Sequence, residues 1–279
     1  MTTVEKVMAA AAAATKKRSA KIRPEVPIRV GVDLGTAFSV IFVTDGAGKP
    51  LAGASVFADV VRDGIVWDFA GAVRVITGLK EGLERKTGRT LDRGSVTIPP
   101  DVSVGDHRAH RYVLEGAGIE CTAVVDEPTA ANAVLGISDG AVVDIGGGTT
   151  GIAIVSDGKI VTTADEPSGG THLSLVIAGA LGIPFEEAEM LKRDPANHAR
   201  LFPMVAPVME KMATIVGKVI EDHHVPHIWL VGGTCAFAGI DEVMTRVTGV
   251  RTSIAPEPMF VTPLGVASFA DPITERPGR

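Results

Sequence analysis

"AVVDIGGGTTGIAIV", residues 141–155, sets three glycines and two threonines between two runs of β-branched residues, directly after an aspartate. Taken alone, it has two readings. Gly-Gly forms tight turns, so Val142-Val143 and Ile152 to Val155 read as the two strands of a hairpin. Consecutive glycines also let backbone N–H groups converge on an anion with no side chain in the way. Asp144 would repel a phosphate held there unless a cation sat between them.

Earlier in the chain, "VGVDLGTAFSVIFV", residues 30–43, follows the same plan: strand, Asp, apolar residue, Gly, Gly or Thr, then another strand. An internal repeat this specific predicts two similar domains facing each other. Each brings an aspartate, Asp33 or Asp144, and a glycine-threonine turn. Two such turns closing on one polyphosphate account for the aspartates, which would organise Mg²⁺. That ion keeps most of its waters and is held by few carboxylates plus phosphate oxygens.

The 279 residues suffice for one large domain or two modest ones. With a net charge of −6 and no broad basic patch, nucleic acid is not an expected partner. No apolar run reaches the length of a membrane span. Cys121 and Cys235 sit in apolar settings without metal-ligand spacing, which predicts buried thiols and a reducing, cytoplasmic setting. In "MTTVEKVMAAAAAATKKRSAKIRPE" the Lys/Arg cluster from Lys16 to Arg23 follows the apolar run, the reverse of a secretion signal. The Ala-rich run predicts a short helix on a basic, flexible tether ending near Pro24 and Pro27. A mobile tail and a helix that docks on a partner are both open readings.

Strands are expected from Ile28, after Gly35-Thr36, and from near Leu51. From Phe69, Val73, Ile76, Leu79 and Leu83 recur at helical spacing, with Lys80, Glu81, Glu84, Arg85 and Lys86 as a solvated charged face. "SVTIPPDVS" reads as a strand that stops at Pro99-Pro100, and His107 to Gly116 as a helix whose His107 and His110 lie at the surface. In "AVVDEPTAANAVLGI" a strand ends near Asp126 and Pro128 starts a helix, where its missing N–H costs nothing. Glu127 at that junction either reaches a water near phosphate or simply favours the helix dipole. In the second half, "GKIVTTADE" is a strand, "GGTHLSLVIAGALG" a Gly-Gly turn then an apolar helix, and "PFEEAEMLKRD" a short amphipathic helix. "FPMVAPVMEKMATIVGKVIEDHH" is a longer helix with Val208, Met212, Ile215, Val219 and Ile220 on its apolar side. "HIWLVGGTCAFAGIDEVMTRV" gives strand, Gly232-Gly233 and helix, and a last helix starts near Pro263. A Gly-Gly turn after a buried strand lets a flat ring lie close to the backbone.

Five segments in order resemble the superfamily of actin, DnaK-type chaperones and sugar kinases. "VGVDLGTAFSV" is similar to its first phosphate motif, "VVDEPTAANAVLG" to its first connecting helix and "VVDIGGGTTGIAIV" to its second phosphate motif. "IWLVGGTCAFAGIDEVM" is similar to the adenosine motif and "FVTPLGVA" to the second connecting helix. More narrowly, "ADVVRDGIVWDFAGAV", "DIGGGTTGIAIV", "EEAEMLKR" and "EKMATIV" resemble the EutJ family of ethanolamine-utilisation proteins, over about residues 28 to 270.

The resemblance implies an α/β fold of two facing ribonuclease-H-like, actin-like ATPase lobes with a central nucleotide cleft. The lobes would be residues 28–137 plus 263–279 and residues 138–262, after an Ala-rich, basic tail at 1–27. It implies ATP and Mg²⁺ as ligands, with Asp33 and Asp144 organising the metal through water. Gly35, Thr36 and Ala37, with Gly146, Gly147, Gly148 and Thr149, would bind the β- and γ-phosphates. Glu127 takes the position that polarises or places the attacking water, making Asp33, Glu127 and Asp144 the catalytic set. Glu189 and Lys192 form the E-x-x-K pair beside the nucleoside, and Gly232, Gly233 and Thr234 would lie against adenine and ribose.

The chain departs from the superfamily in one catalytic position. The phosphoryl-proximal lysine of DnaK-type chaperones has no match, Lys80 being part of a charged helix face, so hydrolysis is expected to be slow or absent. No peptide-binding β-sandwich, lid or large actin insertion is expected. The implied function is a chaperone-like or assembly factor of ethanolamine utilisation with weak Mg-dependent ATPase activity. The alternative is a nucleotide-binding scaffold without significant turnover. Small-molecule kinase activity is disfavoured, because no acceptor-binding cluster is visible. Pathway enzymes or bacterial microcompartment shell proteins would be the partners, in the cytoplasm or at the microcompartment, with self-association left open.

Overall fold

A computed structural model describes residues 2–62, 64–100 and 104–274. The chain divides into two compact units, one comprising residues up to Gly136 together with Phe260 onward, the other Ile137–Met259.

The first unit opens with α1 (Thr3–Lys16), started by a capping box: Thr2 Oγ1 accepts from the Glu5 N–H, and Glu5 Oε2 accepts from the Thr2 N–H. The helix is not a tethered tail. Met8, Ala11, Ala12 and Ala14 are buried, and residues 17–27 are strapped to the same unit. Three antiparallel strands follow, β1 (Ile28–Leu34), β2 (Phe38–Asp45) and β3 (Pro50–Phe57). α1 packs against β3. A small hairpin of β4 (Val61–Arg62) and β5 (Ile65–Val66) leads into α2 (Phe69–Thr87), which Asp68 caps. Then come β6 (Arg93–Ile98), α3 (Val104–Gly116), β7 (Glu120–Asp126) and α4 (Glu127–Leu135). The sheet order is β3-β2-β1-β6-β7, with β1, β6 and β7 parallel. The strand expected to stop at Pro99-Pro100 ends at Ile98, and residues 101–103 lie outside the described residues.

Two further expectations for this unit are corrected. The charged side of α2 is only partly solvated. Lys80 Nζ donates to the Ala117 and Gly118 carbonyls, Glu84 accepts from the Leu91 N–H, and Lys86 Nζ donates to Ala14, Thr15 and Gly53 carbonyls. Long cationic side chains bury their stems and carry the charge to an acceptor, so polarity of sequence did not mean exposure. His110 is fully buried, while His107 is exposed as expected.

The second unit repeats the plan. β8 (Gly140–Ile145), β9 (Thr150–Ser156) and β10 (Lys159–Glu166) form an antiparallel meander. α5 (Gly170–Leu181), α6 (Phe185–Arg193), α7 (His198–Ile220), β11 (Ile228–Val231), α8 (Ile240–Thr248) and β12 (Thr252–Ile254) follow. The sheet order β10-β9-β8-β11-β12 has the connectivity of the first sheet, with β8, β11 and β12 parallel. Every residue of β8 is buried, which explains why its sequence is a continuous apolar run broken only at Asp144. The buried stripe of α7 runs through Leu201, Val205, Met209, Met212, Val216 and Ile220. Val208, Ile215 and Val219, expected on its apolar side, are partly buried and pack against the same core.

The chain then returns to the first unit as α9 (Val261–Val266), which is wholly buried and crosses α4 and β1. Ile28 and Ile273 exchange backbone hydrogen bonds. Cys121 and Cys235 are buried free thiols, as their setting predicts. Among the described residues no helix is long and apolar enough to cross a membrane.

Candidate functional site

Asp144, the last residue but one of β8, is almost fully buried, opposite Gly151 of β9 and Val231 of β11. The turn that follows is closed by the Gly146 N–H, which donates to the Thr149 carbonyl at 3.0 Å. Its carbonyls are claimed from the far side. The Gly146 oxygen accepts from the Gly170 N–H at 3.0 Å and from Thr234 Oγ1 at 2.7 Å, and the Gly147 oxygen accepts from the Thr171 N–H at 2.8 Å. The turn is thus pinned by its acceptors and has N–H groups to offer an anion.

The N-terminus of α5 pinning this turn is itself held by α6. Lys192 Nζ donates to the Gly170 carbonyl at 2.9 Å and to Glu189 Oε2 at 2.6 Å. Glu189 Oε2 also accepts from Ser174 Oγ at 2.6 Å. Burial holds the Lys192 ammonium below the usual lysine range, opposed by the Glu189 charge. No side chain fits at residue 169, where a Cβ would lie 2.6 Å from the Gly147 carbonyl oxygen.

The strand-end glycines of β11 complete the cluster. Gly232 has φ +91° and ψ 156°, a region essentially restricted to glycine. A Cβ there would collide with Asp144 Oδ1 and come within 2.5 Å of the Ile145 carbonyl. The Gly232 N–H donates to the Pro258 carbonyl at 3.0 Å, and Gly233 opens a single 3₁₀ turn that carries Thr234 back to Gly146. Behind it, Cys235 lies buried with its thiol pushed well above the ordinary range by desolvation.

Of the expected residues in this unit, the structure therefore brings together Asp144, the 146–149 turn, Glu189, Lys192, Gly232, Gly233 and Thr234. Sequence reasoning missed Gly169, Gly170 and Ser174. The signal was present at the glycines, since "GG" opens α5 as it follows β11. Nothing in the sequence marks Ser174.

In the first unit, the Gly35 N–H donates to the Phe38 carbonyl at 3.1 Å, the same closure as in the second unit. Thr36-Ala37 occupy the central positions that Gly147-Gly148 occupy there. Asp33 is the last residue but one of β1, and its Oδ1 accepts from Thr97 Oγ1 at 2.5 Å. Burial pushes the Asp33 carboxyl up to about 6, against the Thr97 hydrogen bond that lowers it. Thr97 near the end of β6 was also missed, because a threonine in a strand carries no mark of function. Glu127 is the first residue of α4, directly after β7, and the cap of that helix is Asp126, whose Oδ1 accepts from the Thr129 N–H at 2.9 Å. Asp33, Thr97 and Glu127 therefore stand at the carboxyl ends of three adjacent parallel strands, where open α/β sheets bind ligands.

Comparison with known proteins places this architecture. The chain is 44% identical over 245 residues to the ethanolamine utilization protein EutJ of Salmonella typhimurium LT2, covering 88% of this chain and 86% of that protein. The crystal structure of EutJ from Carboxydothermus hydrogenoformans matches with a TM-score of 0.89 at 45% identity, over 95% of this chain and 98% of that one. The family model of cell division protein FtsA matches residues 141–265, and that of MreB/Mbl protein residues 57–181. Crystalline MreB 5 of Spiroplasma citri bound to AMPPNP gives a TM-score of 0.72 at 17% identity, over 87% of this chain and 95% of that one, a likeness of fold alone. The doubled five-stranded sheet is the actin-like fold, and near-half identity across almost the whole chain makes this protein a member of the EutJ family of ethanolamine utilization proteins.

Proposed function

We propose that this EutJ family member binds ATP with Mg²⁺ and works as a nucleotide-controlled, chaperone-like or assembly factor of ethanolamine utilisation that hydrolyses ATP slowly. The observation that carries the reading is the network in the second unit. Three motifs far apart in sequence, at residues 144–149, 189–192 and 232–234, are tied through Gly170 and Thr234 into one cluster. MreB 5 of Spiroplasma citri, which shares the fold, has been crystallised with AMPPNP and with ADP.

In this reading the N–H edges of the turns at Gly35 to Ala37 and Gly146 to Thr149 bind phosphate oxygens. Glu189, Lys192 and Gly232 to Thr234 hold the nucleoside. Asp33 and Asp144 would each organise magnesium through water: each is a carboxylate near the end of a strand beside a glycine turn, and Asp33 is buried against the Thr97 hydroxyl. When bound, Mg²⁺ neutralises phosphate charge. Glu127 orients the attacking water. The ammonium of Lys80 is held on the Ala117 and Gly118 carbonyls at 3.3 and 3.0 Å, so the chain offers no phosphoryl lysine there. That observation favours slow turnover, and it equally suits a second reading, a nucleotide-binding scaffold that links pathway enzymes or shell proteins of a cytoplasmic microcompartment without turnover.

Saturating Mg-ATP is expected to raise the melting temperature, since a ligand at about 100 times its Kd adds roughly 2.7 kcal/mol to stability. Asp144→Ala should blunt the Mg²⁺ dependence of that shift. An unmoved wild-type melting curve defeats the nucleotide reading.

Glu127→Ala is expected to keep ATP affinity within a few-fold and to cut phosphate release by roughly ten- to a thousand-fold, the range for one positioning or general-base group. Equal release by mutant and wild type returns Glu127 to a helix-terminal carboxylate. No release by either protein selects the scaffold. Co-purification from cells grown on ethanolamine identifies the partner in both cases.

A further inference from the structure

The loop that follows β11 is fastened at three points. Gly232 N–H bonds to Pro258, and Thr234 Oγ1 bonds to Gly146. The third point is His198, the first residue of α7, which is almost fully buried. Its Nδ1 accepts from the Ala238 N–H at 3.1 Å, and its Nε2 lies 2.9 Å from the Lys192 carbonyl. Because an N–H donates to Nδ1, the ring carries its proton on Nε2 and gives it to Lys192. Phe237 stacks on the imidazole with centroids 4.1 Å apart and planes 18° apart, which fixes the ring against rotation.

One neutral side chain thus joins the backbone of Lys192, at the end of α6, to the far end of the Gly232–Ala238 segment. These are the two arms that would enclose the nucleoside. The phosphate turn is not among its partners: Gly146 and Gly147 are held by Gly170, Thr171 and Thr234. We propose that His198 is a positioning residue for the nucleoside, a strut that sets the distance between the Glu189–Lys192 arm and the Gly232–Ala238 loop, and that it acts on nucleoside affinity and not on polyphosphate binding. This rests on the nucleotide reading above.

The test compares Mg-ATP with Mg-tripolyphosphate binding by calorimetry for wild type, His198→Ala and His198→Asn. Asn places an acceptor near the Nδ1 position and so keeps the Ala238 bond. His198→Ala should weaken ATP about ten-fold, the effect of orphaning a buried donor, while tripolyphosphate affinity stays within about two-fold. His198→Asn should recover part but not all of the ATP affinity, because it satisfies the buried Ala238 N–H without reaching the Lys192 carbonyl. Should His198→Ala not fold, His198→Gln, which keeps only a donor towards Lys192, is compared with His198→Asn, and Asn is expected to bind ATP more tightly. Wild-type ATP affinity in the variants overturns the strut, as does an equal loss for both ligands, which marks general damage. A wild type that binds neither ligand sinks the nucleotide reading and the strut together. One that binds tripolyphosphate but not ATP leaves the phosphate turns standing and removes the nucleoside arms.

Discussion

Removal of residues 1–26 is expected to abolish the stable fold of the first unit. The expectation is set by what the segment covers and by what it leaves behind. α1 buries Met8, Ala11, Ala12 and Ala14, and burying a Met side chain alone is worth about 1.5–3 kcal/mol. The polar groups left behind matter more. Lys86 Nζ, held below the usual lysine range chiefly by burial and also by Lys17, gives hydrogen bonds to Ala14 and Thr15 at 2.7 and 3.4 Å. Fully buried Arg89 donates to the Arg23 and Val26 carbonyls at 3.0 and 2.8 Å. The strand-like strap also caps α2, with Ala20 N–H on the Lys86 carbonyl and Ile22 N–H on Thr87. Each cation loses part of its acceptor set, with Lys86 keeping the Gly53 carbonyl and Arg89 the Ile273 carbonyl, at about 1–3 kcal/mol each. Together with the lost burial this is on the order of 5 kcal/mol, the scale of a domain's whole stability. Thermal melts and soluble yield of the truncated chain are the measurement. Met8→Ala, expected to cost about 2–5 kcal/mol, separates packing from the loss of the strap. A truncated protein that melts within a degree or two of the full chain would restore the picture of a dispensable tail.

That reversal shows where sequence is informative and where it is blind. The doubled Asp-x-Gly-(Gly/Thr) plan was legible because chemistry and geometry coincide in it: a strand-end carboxylate, then a turn small enough for backbone to face a ligand. The structure closes both turns with the same hydrogen bond, Gly35 to Phe38 and Gly146 to Thr149. α1 was illegible because a run of alanines carries no apolar periodicity, so the buried set at 8, 11, 12 and 14 cannot be told from the exposed alanines at 9 and 13. Lys80 and Lys86 failed for a related reason, since a lysine's position on a helix says where its stem begins and not where its ammonium ends. Short β12 escaped because "TSI" carries little signal without the β11 partner beside it. Thr97, Ser174 and His198 act through hydrogen bonds made across the fold, and single-sequence spacing holds no trace of such partners.

Gly232→Ala is the point substitution expected to cost the candidate site most. Its backbone, at φ +91° and ψ 156°, lies where an L-residue is strained by roughly 1–3 kcal/mol. The added Cβ has nowhere to go: it meets Asp144 Oδ1 and stands 2.5 Å from the Ile145 carbonyl, which is strand backbone and cannot yield cheaply. Overpacking of this kind adds about 1–3 kcal/mol. Relief has two routes, and each damages the site. Either Asp144 turns away from the turn it precedes, or the 232–234 loop lifts and breaks the Gly232 bond to Pro258 and the Thr234 bond to Gly146. Misplacing a binding group by about 1 Å costs on the order of a hundred-fold, so Mg-ATP affinity in Gly232→Ala should fall by at least that much. Gly249→Ala is the control: its φ is +71°, yet no atom lies within 4 Å of the added Cβ, so it carries backbone strain without the clash. It should lose some melting temperature and keep Mg-ATP affinity. Calorimetric titration of the two variants decides the matter. Wild-type affinity in Gly232→Ala would detach the Gly232–Thr234 loop and Asp144 from the nucleotide, and equal losses in both variants would reduce the glycine's role to backbone strain.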